Sequence, residues 1–215
     1  MKFDKSNREI YSSPAFFLFL VFLGGCGASF QVAGDVAQGR QALLKGDYQG
    51  AFGLFQAAAQ VDPQYVWGTE LKAAVPSYLG RAQYLAGQLN PAQQTLEQAL
   101  AQRRDDHVAA LYLGLTLARQ GDNKRGLENI ETGMKGIRDL VNSVRRSFGF
   151  GIGQYWDPNR EIRNAIESDL AMISRGNYDW ATLLANGERL GLKIEEEPDR
   201  ALFRERDDRE RHGMD

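Results

Sequence analysis

The chain is 215 residues long and has one cysteine, Cys26, and two histidines, His107 and His212. A single cysteine cannot close an intrachain disulfide, and these three residues cannot supply a Cys/His zinc set within one chain. Excess charge of one sign is also missing: 26 basic side chains face 28 acidic ones, a net of −2. A near-neutral chain has no global basic field with which to hold nucleic acid or an anionic bilayer. Proline is scarce, with 6 residues against 23 glycines, which favours helices joined by glycine turns over a proline-punctuated β fold. No long apolar run is present either. The longest, Ala15 to Leu23, would cover roughly 14 Å as a helix, against a hydrocarbon core of about 30 Å. With 43% apolar residues, the chain can still bury a real core.

That short run follows Lys2, Lys5 and Arg8, with Asp4 and Glu9 diluting the basic stretch. Its length and flanks are those of a secretory signal. Directly after it, Leu23-Gly24-Gly25-Cys26 resembles a bacterial lipobox, and it holds the only cysteine in the chain. The resemblance implies a signal peptide over 1–25, cleavage before Cys26, and acylation of its thiol and of the new amino terminus. Two or three acyl chains would anchor the protein stably, whereas one is marginal. In a Gram-negative cell, Gly27 after the cysteine, rather than aspartate, implies the outer membrane, facing the periplasm. Residues 26–31 are expected to be a short tether, with the first helix starting near Gln31. An extended tether would reach about 17 Å.

The remainder has a period. Gly46, Gly87 and Gly121 stand at equivalent places, separated by 41 and 34 residues, and 41 is one 34-residue unit plus seven. Around them the sequence resembles tetratricopeptide repeats over 32–65, 73–106 and 107–140. The first unit supplies Gly39, Ala51, Phe55, Ala58 and Pro63. The second supplies Leu79, Gly80, Ala92 and Ala99, with Leu96 at the aromatic position. The third keeps Leu113 and Gly114 but has Gly126 and Gly133 where alanine is usual. The tryptophan usual near the start of helix A is absent from all three. Pro76 takes that place in the second unit, behind the inserted residues 66–72. Its first helix is therefore expected either to start early and kink or to start anew near Val75, with Trp67 packed in the joint.

The last third reads as further helix. Phe148, Phe150, Tyr155 and Trp156 belong to a glycine-jointed loop that either tucks against the helices or forms an exposed partner-binding patch. The spacing Gly149-x-Gly151-x-Gly153 is not a dinucleotide fingerprint, which needs G-x-G-x-x-G after a strand. Asp157-Pro158 is expected to start a helix that ends at Gly176. Asp179 caps a second one, expected to stop at Gly191. Glu195-Glu-Glu-Pro-Asp199 then reads as the N-terminus of a third. Residues 141–204 are thus expected to be a helical cap on the repeats, and 205–215 a charged, mobile tail. The pattern Trp156-Asp-Pro-Asn to Ile173, continued by Asp179-Trp180 to Ala201, resembles the C-terminal region of uncharacterised proteobacterial tetratricopeptide proteins, which carries no assigned activity.

The expected fold class is therefore all-α, a solenoid of about three helical hairpins with a helical extension. No catalytic or metal set emerges, and no cofactor is implied. The repeat resemblance implies a concave groove lined by Ala33, Val36, Arg40, Leu43 and Leu44, then Ala74, Ser77, Arg81, Tyr84 and Leu85, then Val108, Leu111, Leu115, Ala118 and Arg119. Open, that groove suits a helix or extended peptide with an acidic residue or two; alternatively, the C-terminal helices cover it. The implied function is that of a membrane-anchored scaffold or adaptor lipoprotein of the cell envelope, which binds a protein or peptide. The alternative is a dedicated assembly factor for a secretin, pilus or outer-membrane protein complex.

Overall fold

A computed structural model describes residues 14–147 and 151–213, with side chains from residue 29 onward. Three helical hairpins follow one another: α1 (Pro14–Leu44) with α2 (Tyr48–Val61), α3 (Val75–Leu85) with α4 (Leu89–Gln102), and α5 (His107–Arg119) with α6 (Asn123–Ser147). Each hairpin turns on a glycine with positive φ: Gly46 at 80°, Gly87 at 79° and Gly121 at 91°. A Cβ opposes that conformation, which is why the period is marked by glycine. Within each hairpin the same contact recurs between residues sixteen apart. The backbone at Gly39 meets Phe55, Gly80 meets Leu96, and Gly114 meets Ile130, so closely that an added Cβ would lie within 3.0 Å of each partner. Ala51, Ala58, Ala92 and Ala99 are fully buried on the second helices of the first two units. The third hairpin is the tightest. At Gly133 an added Cβ would stand 2.5 Å from the backbone nitrogen of Leu111, so glycine replaces the usual alanine because two backbones touch there.

Between the first two hairpins the inserted residues make a small antiparallel hairpin, β1 (Val66–Trp67) with β2 (Ala73–Ala74), in register Val66↔Ala74 and Trp67↔Ala73. Helix α3 starts anew at Val75, with Pro76 in its first turn, where no intrahelical N–H is needed. Trp67 is half-buried in the joint as expected, packed beside Tyr65 against the first hairpin.

Four boundaries differ from the sequence reading. Helix α1 runs unbroken from Pro14, with no proline after its first residue. The five residues after Cys26 are therefore helical and rise only about 8 Å, rather than the 17 Å of an extended tether. Helix α6 passes the expected unit boundary at 140 and ends at Ser147, because Val141 and Val144 continue its buried face. After a 3-10 turn at Ile152–Tyr155, α7 spans Glu161–Arg175 and does not begin at Pro158. Asp157 has a φ of +42° and caps that helix from one turn away, its carboxylate accepting from the N–H groups of Ile162 (2.9 Å) and Arg163 (3.2 Å). Finally, what reads as two helices and a tail is one 33-residue helix, α8 (Trp180–His212), with Gly191 and Pro198 inside it.

The cap residues Gly176 and Asp179 perform as expected: Gly176 is left-handed, and Asp179 accepts from Ala181 and Thr182. The far end of α8 is tied to the body. Arg204 reaches the Tyr155 carbonyl and Glu197, both at 2.7 Å, and the Tyr155 hydroxyl donates to Asp208 at 2.5 Å. His212 closes the helix with Nδ1 at 2.9 Å from the Asp208 carbonyl. No helix among the described residues is long and apolar enough to cross a membrane.

Candidate functional site

The first helices of the three hairpins, α1, α3 and α5, present the groove residues, apart from Ala74 on β2, and α8 lies in the groove. Leu115 meets Gly187, and the Tyr112 ring meets Gly191 so closely that a Cβ at 191 would stand 2.5 Å from it. That contact explains why Gly191 does not end the helix. It is a point of close approach, and burial of the surrounding face carries the helix onward.

Charged groups lock this seat. Glu195 is 1% exposed and spends one carboxylate oxygen on Arg40 Nε and the other on Arg81 Nη1. Arg40 Nη2 also donates to the Glu195 carbonyl at 3.0 Å and to Asp199 at 3.2 Å. Arg81 is fully buried, donates to the Gly191 carbonyl at 3.3 Å, and stands 5.5 Å and 5.2 Å from the ring centres of Tyr78 and Tyr112. Burial pushes the Glu195 carboxyl up, but the charges of Arg81 and Arg40 outweigh it and hold it below the usual range. Burial, helped by the Glu195 charge and opposed by Arg81 and Arg40, drives the Tyr78 hydroxyl well above its ordinary value. Seven residues earlier on the same face, Glu188 accepts from Tyr84 and Arg119, both at 2.6 Å.

Ten of the fifteen groove residues are buried: Val36, Arg40, Leu43, Ala74, Ser77, Arg81, Tyr84, Val108, Leu111 and Leu115. Arg119 stays exposed at the groove's edge, and Leu44 is half-buried with no contact to α8 shown. The open-groove alternative is corrected on this point. The arginines face a carboxylate as their pattern implies, but the carboxylate is the chain's own. Glu195 and Glu197, which read as a helix N-terminus, are buried mid-helix, and Glu197 accepts from the Asp157 N–H at 2.6 Å. The sequence signal for this was the pair Glu188 and Glu195, seven apart, with Gly187 and Gly191 on the same face.

The two described residues of the aromatic patch are not exposed. Trp156 is fully buried, Tyr155 is half-buried, and Phe148 and Phe150 lie outside the described residues. Arg145 ties that loop inward by donating to the carbonyls of Trp156 (2.6 Å) and Gln154 (3.2 Å). His107 is half-buried in the first turn of α5, its ring against Gly136 of α6. Cys26 is on α1, and its side chain lies outside the described residues. Among the described residues no group of three or more His, Cys, Asp or Glu could hold a metal ion.

Beside the lock is a cleft of about 480 Å³. Its floor is Arg40, Tyr78 and Glu195, and its walls are Tyr65 to Leu71, through β1 and the turn after it, Ile152, and the stretch of α8 from Pro198 to Leu202. Arg40 lies 5.7 Å from the Trp67 ring centre, joining floor and wall.

Residues 42–114 match the family described as tetratricopeptide repeat, a stretch from the end of α1 into α5. Repeats of this kind are protein-interaction modules, and the hairpin array built around that stretch is an all-α solenoid of the same type. No curated protein matches the chain.

Proposed function

We propose that this chain is a lipid-anchored protein-interaction module of a bacterial cell envelope. The observation that carries the anchor is the placement of the only cysteine, at the end of a nine-residue apolar run and behind Leu23-Gly24-Gly25. Acyl chains on Cys26 hold the protein at the bilayer, each buried CH₂ contributing about 0.8 kcal/mol. In a Gram-negative envelope this is the outer membrane, with the repeats in the periplasm. The tetratricopeptide match supports the interaction role. Because α8 fills the concave face, partners engage the body elsewhere and not by lying in the groove.

The test is metabolic labelling with an alkyne-tagged palmitate, followed by intact-mass measurement of the detergent-extracted protein. Label on the wild type, none on Cys26→Ser, and a mass beginning at an acylated residue 26 are expected. A free Cys26 thiol, or a mature chain starting elsewhere, would contradict the anchor.

A further inference from the structure

The cleft beside the arginine lock is made of parts that the 34-residue period does not require. One wall is Tyr65 to Leu71, nearly all of it the insertion ahead of the second unit, and the other belongs to α8, outside the repeats. Of the floor, Arg40 and Tyr78 come from repeat helices and Glu195 from α8. Its size lies within the few hundred to 1,000 Å³ typical of ligand sites. Two observations set what it can take.

The first is charge. Arg40 is used up by Glu195 and Asp199, leaving no unpaired cation in the cleft. Each wall keeps a carboxylate with spare capacity. Glu70 meets only the Thr69 hydroxyl, and the Asp199 side chain is 47% exposed with one oxygen engaged. The second is apolar exposure at the mouth. Val66 on one wall is 38% exposed and Leu202 on the other 53%. Large apolar side chains gathered at a concave opening mark a contact surface more than scattered ones do. A carboxylate on each side of an apolar slot favours a cationic group beside a hydrophobic one.

We propose that this cleft binds a polypeptide segment presenting an apolar side chain adjacent to a lysine or arginine. The apolar side chain enters between the hairpin and α8, and the cationic group pairs with Glu70 and Asp199. This deepens the interaction-module reading and rests on it.

The experiment is selection of a phage-displayed random dodecapeptide library on the full chain, with the best sequence resynthesised for affinity measurement. Enriched peptides are expected to carry Leu, Phe or Trp beside Lys or Arg. Their affinity should fall at least tenfold in Glu70→Lys and in Leu202→Ser, neither of which alters a buried side chain. Lys124→Glu, outside the cleft, should leave it unchanged, and thermal melts confirm that each variant is folded. Peptides that bind Glu70→Lys and Leu202→Ser as well as the wild type overturn the cleft and leave the interaction-module reading standing. Acidic motifs, or no enrichment, also overturn the cleft. The module reading falls separately, if crosslinking of intact membranes joins no second protein to the chain.

Discussion

Glu195→Gln removes one charge and keeps the shape of the side chain, so it isolates the lock between α8 and the first two hairpins. At an effective dielectric of about 20, each carboxylate–guanidinium pair contributes about 4 kcal/mol, or about 8 kcal/mol for two. Against this stands the cost of burying the carboxylate, several kcal/mol. The net loss expected on neutralisation is about 3–5 kcal/mol, as for other buried pairs cut from one side. The amide adds no relief, since its NH₂ would face a guanidinium that can only donate. Arg40 keeps Asp199 and a carbonyl, but Arg81, fully buried, keeps only the Gly191 carbonyl and two tyrosine faces. In urea, with a slope of about 2 kcal/mol per molar, the unfolding midpoint should drop by about 1.5–2.5 M. Glu196→Gln, one residue on, is the control: its pair with Arg200 is 3.6 Å long and about half exposed on both sides, so its shift should stay within about 0.5 kcal/mol. Equal small shifts in both variants would mean instead that Glu195 is hydrated and not locked in the groove.

The glycines give opposite signs at two places. Gly133→Ala should destabilise by about 1–3 kcal/mol, because its Cβ would press into the α5 backbone, while Gly53→Ala, in open space on an exposed part of α2, should stabilise by up to about 1 kcal/mol. Thermal melts of the two variants read both signs. Asp106, the cap of α5, has its carboxyl raised mainly by burial, against the lowering effect of the Ala109 N–H bond and nearby arginines. A raised carboxylate contributes its stability below the unfolded value near 3.9 and loses it as pH rises through the folded one. Asp106→Asn, which caps equally well, should therefore gain on the wild type as the pH rises above about 4, read by thermal melts across pH. Glu195 has the opposite sign. Its depressed carboxyl contributes above the unfolded value near 4.3 and ceases to as pH falls through the folded one, so the difference between wild type and Glu195→Gln should shrink under acid.

The repeats were legible because local chemistry encodes them. A turn needing positive φ demands glycine at 46, 87 and 121, and a helix face nested against its partner demands alanine at 51, 58, 92 and 99. Caps such as Asp179 and Gly176 are equally local. Helix α8 is not legible as one helix, because two of its residues carry signals with more than one meaning. Gly191 looks like a stop, yet it is where the helix touches Tyr112. Pro198 behind three glutamates looks like a first turn, yet the apolar and charged contacts on both sides hold the helix through it. Burial of a long face overrides one missing hydrogen bond. The lock was invisible for a different reason: Glu195 and its partners are 155 and 114 residues apart in the chain. Only their meeting in space distinguishes a buried acid from one at a solvated helix start. The filling of the groove follows from that meeting, and so does the move of the candidate site to the cleft beside it.

That α8 lies in the concave face of the repeats can be read from nuclear Overhauser effects between the Gly191 α-protons and the Tyr112 ring in the intact chain, using selective glycine and tyrosine labelling. Strong cross-peaks are predicted, since the backbone at 191 lies against that ring. Their absence in the folded protein would contradict the account and restore an open groove.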